Sequence, residues 1–129
     1  MIKINTKPIP KERPRFNRST GRTYTPNTTK DFEEYIAYEY LNQGGEYFDN
    51  KPVKLKLTFG FEVPKSYGKK KREEALRGLV TPSKCDIDNL VKCVQDGLNK
   101  VAYSDDRYIH TIEATKKFDV ENYIIIDIF

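Results

Sequence analysis

From Val53 to Val63 apolar and polar residues alternate without a miss, with Val53, Leu55, Leu57, Phe59, Phe61 and Val63 interleaved by Lys54, Lys56, Thr58, Gly60 and Glu62. Successive side chains of a strand point to opposite faces, so a period of two held this long specifies a half-buried strand. Its apolar face has to lie against a core, and Pro64 closes it. Whatever else the chain does, it has to build a sheet around this strand.

The remaining segments supply the partners. Ile2 and Ile4 alternate with Lys3 and Asn5 as a short first strand that Pro8 and Pro10 stop. Phe32, Tyr35, Ile36 and Tyr40 form the buried stripe of a helix that Ala37, Tyr38 and Leu41 widen and Gly44-Gly45 ends. Leu90, Val91, Val94 and Leu98 form the apolar side of another, and Lys69 to Leu76 reads as a short helix between them. Near the end Ile109 to Thr115 alternates as a strand with Ile112 on its buried side, and Asp119-Val120-Glu121-Asn122 turns into Tyr123 to Ile128 to make a C-terminal hairpin. The expected fold is α+β: a two-layer sandwich of one mixed sheet of about four strands with two main helices, in the order β-α-β-α-β-β. Residues 1–129 make a single domain, able to bury roughly 65% of its unfolded surface.

Charge is segregated. Residues 1–30 carry +7 and residues 65–84 carry +5, which leaves −8 on the rest of a chain whose net charge is +4. Such separation suits a polyanion lying across one face. Arg13, Arg15, Arg18 and Arg22, in a Pro- and Gly-punctuated loop, present planar forks suited to phosphates, and Phe16 and Tyr24 in the same loop can stack on a base or anchor it to the core. No basic segment carries a broad apolar face, so nucleic acid is the expected partner and a membrane is not. No apolar run marks a signal peptide or a span, which places the protein in the cytoplasm. Cys85 and Cys93, eight apart, match no zinc pattern and read as reduced packing residues. A lone His110 cannot build a histidine-rich metal centre, and no Gly-rich phosphate loop supports a nucleotide cofactor.

The chemistry concentrates in Lys84-Cys85-Asp86-Ile87-Asp88-Asn89-Leu90-Val91-Lys92 and Ser104-Asp105-Asp106. If Asp86 and Asp88 lie on an extended segment, their carboxylates aim at one spot while Ile87 turns into the core. Two convergent carboxylates repel unless a cation lies between them, and the hard, oxygen-seeking choice is a divalent ion such as Mg²⁺. Lys92, one helical turn beyond Asp88, could meet a phosphate held by the same ion, and the Asp105-Asp106 pair could return a third carboxylate. Taken singly, each acid has a local explanation as a helix cap or turn former.

Together, Lys7-Pro8-Ile9-Pro10-Lys11-Glu12-Arg13-Pro14-Arg15-Phe16, Asp86-Ile87-Asp88-Asn89-Leu90-Val91-Lys92 with Asp96-Gly97-Leu98-Asn99, and Asp105-Asp106 resemble the RusA-type Holliday junction resolvases common in prophages. The resemblance spans nearly the whole chain, and its specific part is the DxDN-x-x-K followed by the acidic pair. It implies a homodimeric, Mg²⁺-dependent endodeoxyribonuclease, with Mn²⁺ as a substitute ion, that resolves four-way DNA junctions by paired nicks in recombination and repair. The acidic triad falls on Asp86, Asp88 and Asp106, with Asp105 as the alternative third ligand, and the active-site lysine on Lys92. Lys11, Arg13, Arg15, Arg18, Arg22, Lys69, Lys70, Lys71, Arg72 and Lys84 are the expected DNA contacts. Cys85 departs from the proline that many relatives place before the first aspartate. The competing readings are a PD-(D/E)xK-type nuclease and a non-catalytic DNA-structure-binding protein whose aspartates are caps.

Overall fold

A computed structural model describes residues 1–12, 15–24 and 27–129. Its centre is β4, Val53–Glu62, in which Val53, Leu55, Leu57 and Phe59 are at most 1% exposed. The alternation therefore acts as expected: these residues face the helices, while Lys56 and Glu62 face solvent. With β1 (Ile2–Ile4), β5 (Ile109–Asp119) and β6 (Tyr123–Ile128) it forms one mixed sheet in the order β1-β6-β4-β5. Ile2, Ile4, Ile124 and Ile126 continue the buried face across the paired strands. Three helices, α1 (Asn27–Asn42), α2 (Lys69–Leu76) and α3 (Ile87–Leu98), complete the α+β arrangement.

Two features of the connectivity differ from the expectation. The segment from Arg15 to Tyr24 is not all loop but a hairpin, β2 (Arg15–Asn17) with β3 (Arg22–Tyr24), in register Arg15↔Tyr24 and Asn17↔Arg22. Gly21, at φ 67°, closes its turn in the left-handed region that a residue lacking Cβ adopts without strain. The C-terminal strands, in turn, do not form a hairpin. β4 lies between them, parallel to β5 and antiparallel to β6. Residues 119–122 wrap the end of β4 instead: the Val63 amide donates to the Asp119 carbonyl at 3.2 Å and the Glu62 amide to Asn122 Oδ1 at 2.9 Å. β4 thereby has a hydrogen-bonded neighbour on both edges, β6 on one and β5 on the other.

β5 is thus an edge strand, and this corrects the place given to Ile112. The residue is registered against Leu55 but is 43% exposed. Its neighbours farther along, Ala114 and Phe118, do pack against the core.

Phe32, Ile36 and Tyr40 of α1 are buried as the stripe requires, whereas Tyr35 is 38% exposed beside the open Tyr38 and Leu41. Amides of Gly44 and Gly45 donate to the carbonyls of Leu41 and Tyr40 and terminate the helix. α3 buries Leu90, Cys93, Val94, Gly97 and Leu98 and packs against α1. Burial pushes the Cys93 thiol up to about 12, in keeping with an inert packing role.

The helices meet at Gly97, where a Cβ would stand 2.9 Å from the Glu33 carbonyl oxygen and 3.2 Å from Ile36 Cβ. Gly97→Ala would gain about 1 kcal/mol in helix propensity but force a backbone carbonyl aside at a cost of about 1–3 kcal/mol. Because backbone cannot yield as a flexible side chain does, the clash outweighs the gain. Urea unfolding should show Gly97→Ala less stable than the parent; an unchanged or raised midpoint would disprove the close approach.

Candidate active site

α3 places the first two acids, and not as an extended segment would. Asp86 is the residue that caps α3, with φ −74° and ψ 137°, and Asp88 already lies in the first turn. Ile87 is helical and 36% exposed, so it does not turn into the core. The cause is Leu90, Val94 and Leu98: burying them requires the helix to begin before Asp88. Both acids lie at the positive end of the helix dipole, where a carboxylate is favoured.

Their local roles differ. Asp88 Oδ1 accepts a hydrogen bond from the Asn89 amide at 3.0 Å. Asp86 occupies the capping position, yet its carboxylate makes no capping hydrogen bond. A cap is the ordinary reason for an aspartate here, and the structure shows instead an exposed carboxylate without that bond.

Tyr103 folds the segment that carries Asp105 and Asp106 back along α3. This side chain is fully buried, and its hydroxyl donates to the Gln95 carbonyl of α3 at 2.8 Å. The Lys100 amide donates to the Tyr103 carbonyl at 2.8 Å, folding the chain back at once after the helix. Ser104 Oγ then donates to Asn50 Oδ1 and accepts from the Asn50 amide, both at 3.0 Å. The next residues begin a 3-10 turn at Asp106–Tyr108. Asp105 Oδ1 accepts from the Arg107 amide at 3.0 Å and caps this turn. That bond, with the neighbouring Asp106 side chain, lowers its pKa below the ordinary carboxylate value. Asp106 Oδ2 instead faces Lys92 Nζ at 4.0 Å.

Lys92 belongs to a ladder of alternating charge. Its ammonium is also 3.3 Å from Asp96 Oδ1, whose other oxygen is 3.1 Å from Lys11 Nζ, and Lys11 in turn meets Glu33 of α1 at 2.5 Å. The Lys11 side chain is only 19% exposed. Burial alone would lower its pKa, but the bonds to Glu33 and Asp96 more than compensate and raise it. Its amide donates to the Asn89 carbonyl at 2.9 Å, so this lysine, expected among the DNA contacts, is engaged in joining α1 to the first and third turns of α3.

A residue that the spacing does not reveal is Lys116. Registered against Phe59 on β5, it stands on the inward side of the edge strand, half-buried, and donates from Nζ to the Cys85 carbonyl at 2.6 Å. It tethers the residue immediately before Asp86 to the sheet. Its one signal in the sequence is a lysine two residues from Phe118 and two from Ala114, on the apolar side of the alternation.

Among the described residues no group of three or more Asp, Glu, His or Cys stands together so as to hold a metal ion. Each of Asp86, Asp88 and Asp106 carries oxygen donors of the kind a hard divalent cation takes, but the structure does not bring the three together as one metal site. Arg18, Arg22, Lys69, Lys70, Lys71, Arg72 and Lys84 are exposed, the middle four on α2. Arg13 lies outside the described residues, as do the side chains of Arg15, Phe16 and Tyr24. His110 is exposed, its Nδ1 2.8 Å from Thr111 Oγ1. No helix among the described residues is long and apolar enough to cross a membrane.

The chain is 33% identical over 119 residues to the Uncharacterized protein YqaN of Bacillus subtilis (strain 168), covering 88% of this chain and 84% of that one. It is 38% identical over 89 residues to the Crossover junction endodeoxyribonuclease rusA of Lactococcus phage r1t, covering 67% of this chain and 62% of the phage protein. The sequence model described as Endodeoxyribonuclease RusA matches residues 5–129, so the chain belongs to the RusA family and is an endodeoxyribonuclease.

Proposed function

We propose that the protein hydrolyses phosphodiester bonds at four-way junctions and related branched DNA, by paired nicks, in recombination and repair of prophage-type DNA in the cytoplasm. The observation that carries this reading is the uncapped Asp86 at the head of α3, on the helix whose Lys92 faces Asp106. The name of the phage relative, a crossover junction endodeoxyribonuclease, supports the choice of substrate.

Asp86, Asp88 and Asp106 would hold Mg²⁺, with Mn²⁺ as a substitute. When bound, the ion supplies Lewis acidity that eases attack by water and offsets charge gathering on the phosphoryl oxygens. Lys92, 51% exposed and paired with Asp96 and Asp106, would exchange one of these partners for a phosphate and oppose the same charge. Exposed lysines and arginines along α2 and the β2–β3 hairpin would bind the backbone without reading bases. A junction with two-fold symmetry calls for two such sites, and the open Tyr35, Tyr38 and Leu41 of α1 offer an apolar face for a second copy. Sedimentation should then give a homodimer, and Tyr38→Glu with Leu41→Glu should shift it to monomer.

Cleavage of a synthetic four-way junction with and without Mg²⁺ tests the central reading. Asp88→Asn and Asp106→Asn should each slow cleavage about a thousandfold while junction binding is retained or tightened, since phosphate no longer meets a carboxylate. Loss of binding together with cleavage would count against the assignment. Asp105→Asn keeps the cap and should stay within roughly twofold to threefold of the parent; a loss as deep as that of Asp106→Asn would transfer the third ligand to Asp105. Lys116→Met frees the carbonyl before Asp86, and the Mg²⁺ concentration for half-maximal rate should rise about tenfold, with partial rescue by Lys116→Arg. An unchanged Mg²⁺ dependence would reduce Lys116 to a surface lysine.

A further inference from the structure

Between the C-terminal end of β4 and the segment leading into α3 lies a cavity of about 300 Å³. Its floor is apolar and aromatic, with Phe61, Tyr67 and Phe118. Its rim carries Lys7, Lys65 and Lys84. The wall is preformed: the Tyr67 amide donates to the Pro64 carbonyl at 3.1 Å, the ring meets Phe118 edge-on at 5.8 Å, and Lys71 Nζ lies 4.1 Å from its centroid. Among the described residues none of the three rim lysines has a salt-bridge partner, and Glu62 is the one acid on the lining. Cys85 also lines the cavity, and Asp86 follows it directly in the chain.

An aromatic floor under unpaired cations suits a ligand that is flat and apolar at one end and anionic at the other. A nucleotide is such a ligand. The volume is at the small end of ligand pockets, so a stacked base pair does not enter, whereas a single base that has left the stack does, as at a branch point. We propose that this cavity receives one unpaired nucleotide of the substrate, base against Phe61, Tyr67 and Phe118 and phosphate toward Lys7, Lys65 and Lys84, beside the strand being cut. The inference rests on the nuclease reading and adds to it a place that holds an unpaired nucleotide at the crossover.

The test is an amide-resolved NMR titration of the full chain, without metal, using the four deoxynucleoside 5′-monophosphates and, separately, inorganic phosphate. At least one nucleotide should move the resonances of Tyr67, Cys85 and Phe118, which phosphate alone should leave in place. Ser83, exposed on the same lining, allows the cavity to be filled without touching the core. Ser83→Trp should keep the melting temperature of the parent and weaken the nucleotide response about tenfold, the scale of one lost base–aromatic stack. Shifts confined to the lysines, shifts reproduced in full by phosphate, or an undiminished response in Ser83→Trp would each overturn the proposal. The titration requires no cleavage. A chain that binds the nucleotide but leaves a junction uncut in Mg²⁺ fails the nuclease reading alone, and one that cuts the junction with a silent cavity fails this inference alone.

Discussion

The ammonium of Lys11 between Glu33 and Asp96 is the contact on which the geometry of the active face turns. It lies where three segments meet: the stretch after β1, α1, and α3. Without a cation there, two half-buried carboxylates would oppose each other across the helix pair, exactly beside the close approach at Gly97. With it, the repulsion becomes attraction, and α3 is held against α1 along one side while Leu90, Val94 and Leu98 bind it to the sheet. The raised pKa of Lys11 keeps this arrangement intact through the neutral range, since a lysine stabilised in its charged form loses that contribution only as pH rises past the ordinary lysine value.

One residue type serves two ends within this frame. Asp86 and Asp105 both precede a helical turn, with extended backbone suited to capping. Asp105 caps and is thereby committed to its own backbone; Asp86 does not. Propensity is the same for both, but their settings differ: the carbonyl before Asp86 accepts from Lys116 on the sheet, whereas Tyr103 and Ser104 ahead of Asp105 are held on Gln95 and Asn50. A carboxylate at a helix start is therefore informative about chemistry only once its hydrogen bonds have been traced.

Much of the architecture was legible because period alone carried it. The unbroken alternation of β4 and the apolar side of α3 are local patterns that burial then enforced, while α2, at Lys69–Leu76, forms although it buries only Ala75. Period tells which face a residue takes, however, not which strand lies beside it. For that reason the hairpin β2–β3 was hidden in a basic stretch, and β5 and β6 looked like natural partners although β4 parts them. The acids were visible as residues, but the placing of the segments that carry them depended on Tyr103 folding the chain back over Gln95 and on Lys116 reaching across from an edge strand. Both are long-range contacts made by side chains whose types, a tyrosine after a helix and a lysine in a strand, have ordinary explanations.

The interposition of β4 between the last two strands also bears on when the molecule becomes complete. Its two hydrogen-bonded edges are filled by segments that follow it by some fifty to seventy residues, so closure of the sheet depends on contacts distant in sequence, the kind that form late and slowly. α3 carries its carboxylates before either edge is occupied, and Lys116 reaches Cys85 only after β5 has docked. A nascent chain therefore carries Asp86 and Asp88 on α3 before the sheet behind that helix is closed, and the tether to Cys85 is among the contacts made late.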